Sequence, residues 1–231
     1  MTSRIAVLAS GGGSNLQAIL EYLDQLGDRR AGSVVLVASD RPASGALARA
    51  RSRGIASIEI ENRARTSGVP LGQALDEHGI DLVVLAGYLR LVPVDVVREY
   101  DGRLINVHPA LLPAFGGPGM YGLRVHQAVI NAGARVSGVT VHQVNEEFDR
   151  GAIIAQWPVP VLAGDDAERL AARVLRVEHV LFPRVVNAVA AGRTTGGRSL
   201  TLASAGDQLA FTLSPREGEC LVADVERLVN G

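Results

Sequence analysis

Cysteine is nearly missing from this chain: one thiol, Cys220, stands in 231 residues. A single cysteine excludes an internal disulfide and a cysteine-built zinc site, so the fold must rest on its core, and the setting reads as reducing. An excess of charge of either sign is missing too. Lys and Arg total 23 against 24 for Asp and Glu, a net charge of −1. No global field is left to hold nucleic acid or an anionic membrane, and any phosphate must be gripped locally. Long apolar runs are also lacking. Met1 to Arg4 leads straight into an apolar stretch at residues 5–9, too short for a signal or membrane helix, and a cytoplasmic location is the expectation. There is no repeat, no low-complexity block and no linker long enough to divide the chain. What remains is 47% hydrophobic and 20% charged, enough to bury a substantial core.

Apolar, β-rich runs recur at residues 5–9, 34–38, 55–60 and 81–86, with segments of helical spacing between them. This βαβα rhythm predicts a doubly wound α/β fold with a mostly parallel sheet covered on both faces. Ligands then belong at the carboxyl ends of the strands. After a strand at 103–107 come a loop rich in Pro and Gly at 109–122 and a short helix near 125–131. Strands at 138–144 and 152–161 follow, close enough for an antiparallel extension, then a helix over about 165–191. The alternating tail, 199–203 and 208–213 around Ala205-Gly206-Asp207, predicts a terminal hairpin. The expected units are residues 1–192, with phosphate bound in the first part and the second reactant in the later part, and a tail at 193–231.

Three segments carry chemistry. Gly11-Gly12-Gly13-Ser14-Asn15 links the first strand to an amphipathic helix with Leu16, Ile19, Leu20 and Leu23 on one face. Glycines let backbone approach an anion, and a helix start offers free amides and a favourable dipole. The dinucleotide fingerprint would need glycine where Leu16 stands, and the P-loop would need Gly-Lys-Ser/Thr. A plain tight turn with Ser14 as helix cap is the alternative. At the end of the later buried strand, alternation puts Asn106 and His108 on one face, so a carboxamide and an imidazole can converge on one oxygen, the inventory for acyl transfer. The alternative is a strand-end histidine satisfying a carbonyl. In the acidic link 145–151, Asp149 is a candidate to raise the pKa of that imidazole and to hold a relaying water, against the reading of an ordinary acidic turn. His142 is either a site residue or a satisfied sheet histidine. No His, Cys or carboxylate cluster has the spacing of a metal site.

Taken in order and spacing, residues 9–17, 85–90, 105–113, 139–151 and Glu178-His179 resemble the 10-formyltetrahydrofolate-dependent formyltransferases, most closely the branch that acts on glycinamide ribonucleotide in purine synthesis. The resemblance runs from Arg4 to about Pro183. It implies direct formyl transfer from 10-formyltetrahydrofolate to the amine of the ribonucleotide, with Asn106, His108 and Asp149 as the catalytic trio. It further implies that Gly13, Ser14 and Asn15 hold the phosphate and Glu178 the ribose hydroxyls. Leu89, Arg90, Leu91, Val92, Asn106 and His142 would face the folate, and Arg65, in preference to Arg63, its tail. The partners implied are these two small molecules, with neither nucleic acid nor membrane and no metal, and a homodimer is allowed. Two features depart from the pattern: a longer, glycine-rich loop at 114–122, which leaves His126 without an assignment, and the tail with Cys220. A formyltransferase acting on tRNA would need a further domain and a basic surface, and a hydrolase an extra domain before strand one. An amino-sugar transferase would share the trio, while a non-catalytic nucleotide-binding module would leave it unexplained.

Overall fold

A computed structural model describes residues 2–60 and 69–194. Arg63 and Arg65, the terminal hairpin and Cys220 lie outside the described residues. Strands β1 (Ser3–Leu8), β2 (Gly32–Ser39), β3 (Ala56–Glu59), β4 (Leu82–Leu85), β5 (Leu104–His108), β6 (Val136–Gln143) and β7 (Ile153–Pro160) form one seven-stranded sheet in the order β3-β2-β1-β4-β5-β6-β7. Pairings from β3 to β5 are parallel, and those of β5 with β6 and β6 with β7 are antiparallel. The expected late extension is thus present. Helices are α1 (Ser14–Leu26), α2 (Gly45–Ser52), α3 (Val69–Glu77), α4 (Val94–Glu99), α5 (Leu123–Asn131) and α6 (Ala167–Thr194). The last of these runs past the expected boundary at 192. Among the described residues no helix is long and apolar enough to cross a membrane.

Strand alternation explains the layers. In β1, Ile5 and Val7 enter a core shared with Leu16, Ile19, Leu20 and Leu23 of α1 and with Val174, Val177 and Leu181 of α6. Ala6 and Leu8 point the other way, into a core with Leu71 and Leu75 of α3 and Val96 of α4. A strand buried on both sides reads as a continuous apolar run, which is why β1 shows no polar alternation. The chain winds outward from β1 through β2 and β3, then returns to β4 on the opposite side. Between those halves the loops diverge and open a crevice at the carboxyl ends of β1, β4 and β5.

The antiparallel pair positions the rest of the site. Its register shifts at the Val141/His142 step, where Val141 pairs with Ala155 and His142 with Ile153, so β7 carries one extra residue, Ile154. Such a bulge increases local twist and re-aims the neighbouring side chain, here His142. The turn returns through Gly151, where any Cβ would run into the carbonyl oxygen of Gln143. Gly151→Ala is therefore expected to cost at least about 2 kcal/mol, by overpacking against backbone. At this chain length that is a fall in Tm of roughly 4–8 °C by thermal unfolding, whereas an unchanged Tm would show that the turn relaxes freely.

Candidate active site

At the carboxyl ends of β4 and β5 lies a cleft of about 420 Å³, and Asn15, Leu89, Arg90, Leu91, Val92, Asn106, His108, His142, Asp149 and Glu178 all line it. The structure thus gathers most of the residues singled out in the sequence. Gly13 and Ser14 do not line this cleft, and Ser14 opens onto a separate depression with Arg49 and His179.

On β5, Ile105 and Val107 enter the α1/α6 core, leaving Asn106 and His108 to the opposite set of positions, as alternation requires. Asn106 is paired across the sheet with His142, and its Nδ2 lies 3.1 Å from His142 Nε2. His142 Nδ1 is 2.7 Å from the carbonyl of Gln143. A carbonyl only accepts, so Nδ1 carries a hydrogen, and Nε2 stands between the Asn106 amide and Asp149. One N–H of the Asn106 amide is then engaged, and the other remains for a ligand. His108 follows the same logic. Its Nε2 donates to the carbonyl of Phe115 at 2.9 Å, leaving Nδ1 to face Asp149 Oδ2 at 3.6 Å. The second oxygen of Asp149 lies 3.6 Å from His142 Nε2, so one carboxylate sits between two imidazoles.

The loop before α5 explains how Asp149 is held. Gly117 donates its amide to Asp149 Oδ2 at 2.8 Å, and a Cβ on Gly116 would meet Asp149 Cβ at 3.1 Å. The glycine-rich loop thus lets backbone close on the carboxylate. Asp149 itself has a φ of 56°, a left-handed conformation that a non-glycine residue adopts at a cost of about 1 kcal/mol and that concentrates at functional sites. Thr140 braces the preceding turn, donating to Ala110 O at 2.7 Å and accepting from the Leu112 amide at 3.0 Å.

Electrostatics correct one expectation. The sequence pointed to a His108 whose pKa Asp149 raises, whereas the pKa of His108 is lowered: burial opposes the imidazolium, and the carboxylate of Asp149 with the Phe115 carbonyl offsets this only in part, while His142 adds to the lowering. Burial also works against the charge of Asp149, but His142, His108 and the Gly117 amide outweigh it and hold the carboxyl below its ordinary range. The site therefore holds a carboxylate beside a neutral imidazole at neutral pH.

The glycine loop departs from the sequence reading in one detail. Gly13, with φ of 75°, occupies the cap position of α1, and Ser14 is the first helical residue, not the cap. A Cβ at Gly13 would lie 2.8 Å from Ala46 Cα, so α2 packs directly on the loop. Arg49 Nε donates to Gly12 O at 2.9 Å and braces it further. No side chain caps α1 and its first turn holds no acid, which leaves the helix start open to an anion. At the second position of the helix, Asn15 Nδ2 donates to Glu178 Oε2 at 2.7 Å, joining α1 to α6 inside the cleft. Burial pushes the Glu178 carboxyl up to about 7, with the Asn15 hydrogen bond working the other way. Ser10 links the loop to the stretch after β4 by accepting from the Leu89 amide at 3.0 Å. Arg90 does not reach out freely, because its Nε is 2.6 Å from the buried Asp40.

The sequence reading missed Asp40, the Phe115 carbonyl and the Gly117 amide, and it named His126 without giving it a role. Only Asp40, directly after a strand, carried a positional signal. The others follow from how the loop folds back.

Residues 3–186 match the family described as Formyl transferase. Phosphoribosylglycinamide formyltransferase, chloroplastic, of Arabidopsis thaliana is 45% identical over 191 residues, which cover 80% of this chain, and the chain spans 65% of that protein's length. The phosphoribosylglycinamide formyltransferase of Escherichia coli K12 is 38% identical over 193 residues, covering 82% of this chain and 88% of the other. Among solved structures, glycinamide ribonucleotide transformylase 1 from Symbiobacterium toebii superposes with a TM-score of 0.75 at 40% identity, over 83% of this chain and 89% of that one. With the family match spanning most of the chain and the same α/β architecture in its relatives, this chain belongs to the formyl transferase family.

Proposed function

We propose that this chain transfers the formyl group of 10-formyltetrahydrofolate to the amine of glycinamide ribonucleotide in purine synthesis. The observation that carries the reading is the convergence of Asn106, His108 and Asp149 in a cleft that the Asn15–Glu178 pair also lines, beside an uncapped helix start. Such a cleft suits a reactant with an acyl group at one end and a ribose phosphate at the other. The names of the relatives point the same way.

In this reaction the amine nitrogen bonds to the formyl carbon while the carbonyl electron pair moves onto oxygen. Asn106, through its free N–H, donates to that oxygen. His108, neutral in the open cleft, shares at Nδ1 the proton that the attacking nitrogen loses, before that proton moves on, because the charge growing on the formyl oxygen adds to the pull of Asp149. The proton lost by the attacking nitrogen passes along Asp149 and a held water to the folate nitrogen, whose bond to the formyl carbon then breaks with the electron pair going to nitrogen. Gly13, Ser14 and Asn15 hold the phosphate at the start of α1, Glu178 accepts from the ribose hydroxyls, and residues 89–92 with His142 border the pterin. No metal is assigned, since the developing charge is met by N–H donors, and a cytoplasmic location goes with this reading.

The decisive assay follows tetrahydrofolate release from 10-formyltetrahydrofolate with and without glycinamide ribonucleotide. Release only when the ribonucleotide is present is expected. Release without it would make the chain a hydrolase, and release only with an amino sugar would change the acceptor. Turnover is expected to survive exhaustive chelation, and loss with recovery on metal addition would overturn the metal-free reading. Ser14→Ala and Asn15→Ala are expected to raise the KM of the ribonucleotide well above that of the folate, whereas an equal rise in both would place the phosphate elsewhere.

A further inference from the structure

His126 is a buried imidazole of the cleft that the reaction above does not use. It lies on α5, is 4% exposed and lines the same cleft as His108. The other two imidazoles of the cleft and Asp149 are engaged: both nitrogens of His108 and of His142 face partners, and Asp149 binds the Gly117 amide. Nδ1 of His126 is fully enclosed and unpartnered among the described residues. A sealed N–H without an acceptor is the costlier way to leave a ring nitrogen unpaired, so the hydrogen belongs on Nε2. The imidazole also stays uncharged, because burial, helped by the nearby His108, pushes its pKa down to about 4.

We infer that His126 is a further donor for the transfer reaction, its neutral Nε2–H meeting the formyl oxygen as that oxygen gains charge, alongside Asn106. An uncharged imidazole suits this role. It can donate at any pH near neutral, and it adds no positive charge that would depress the basicity of His108 further. The glycine-rich loop at 114–122 leads into α5, so the segment that seats backbone on Asp149 also delivers this side chain. The inference rests on the transfer reading above.

Three variants separate donor from filler. His126→Phe keeps a ring and removes the donor, His126→Gln returns an N–H near the Nε2 position, and His126→Asn returns polarity only near Nδ1. The expected result is a fall in kcat of roughly a hundredfold to a thousandfold for the Phe and Asn proteins, the scale of one oxyanion donor, with both KM values within about threefold of wild type. Gln should recover most of the loss, and the shape of the pH profile should not change. A filler would instead shift Tm and both KM values and would not distinguish Gln from Asn. A folded His126→Phe protein with wild-type kcat, or a Gln protein no better than Asn, overturns the inference. Should the Phe protein fail to fold, imidazole nitrogen shifts in the full wild-type chain decide. Nδ1 should be bare and Nε2 protonated across neutral pH, with the Nε2 signal moving when a non-transferable 10-formyl folate analogue binds. The opposite tautomer, or an unmoved signal on saturation with the analogue, is an overturning outcome. Wild-type protein that fails to formylate glycinamide ribonucleotide sinks the transfer reading instead, and the resting tautomer still tests the hydrogen placement on its own.

Discussion

Replacing Asp149 by Asn is expected to lower kcat by roughly tenfold to a thousandfold, the combined scale of general acid–base and oxyanion contributions, with far smaller changes in KM. The carboxylate stands 3.6 Å from the ring nitrogens of both His108 and His142, and it partly counters the burial that keeps His108 neutral. Without that charge the imidazolium becomes harder to form when the formyl oxygen turns negative, and the proton relay loses its base. Asparagine can still accept from the Gly117 amide through Oδ1, so the loop contact survives. The alkaline fall of kcat should begin at lower pH in the variant, because removal of a negative neighbour lowers the pKa of His108 further. A folded Asp149→Asn protein that turns over at wild-type rate across neutral pH would remove Asp149 from the mechanism, whatever the family.

Glu178→Gln is expected to have opposite effects on stability and on binding. Burial raises the Glu178 carboxyl from 4.5 to about 7, so between those values the folded chain holds more protons than the unfolded one. Stability therefore falls as pH rises through that window, and the full cost, about 3 kcal/mol, is present above it. Glutamine keeps an oxygen to accept from Asn15 but carries no charge to bury. At pH 8 the variant should melt higher than wild type, by roughly 2–4 °C for each kcal/mol recovered, and near pH 4 the two should coincide. Binding should move the other way. A carboxylate is the stronger acceptor for ribose hydroxyls, so wild-type affinity for the ribonucleotide should strengthen as pH rises through about 7, whereas the Gln variant should bind weakly and without that dependence. Melting curves that stay parallel across pH would show that Glu178 does not carry its proton into the neutral range. Equal ribonucleotide affinity in both proteins would remove it from the ribose site.

Much of the fold was legible because its signals are local. Runs such as Ile5 to Leu8, buried on both faces, read as central parallel strands, and the spacing of Leu16, Ile19, Leu20 and Leu23 reads as a helix laid on that sheet. Alternation alone placed Asn106 and His108 on one side of β5. The short polar link after β6 was enough to predict an antiparallel extension, since two strands that close in sequence have no room for a crossover helix.

Other properties depend on distance and burial, which a linear sequence does not contain. Local signals placed the glycine loop, the shared face of Asn106 and His108 and the succession of strands and helices along the chain, because period, turn chemistry and residue type act over a few neighbours. Only the folded chain decided the charge on His108, because the carboxylate that raises its pKa and the burial that lowers it act through space and burial prevails. Only the folded chain made Gly13 the cap of α1, by bringing Ala46 against the loop, and bound Arg90 to Asp40 across fifty positions of sequence. The glycine-rich stretch before α5 showed freedom but no purpose in the sequence. Its role arises when Gly116 and Gly117 close on Asp149 and His126 enters the cleft, a meeting of segments that pair only once the sheet has formed.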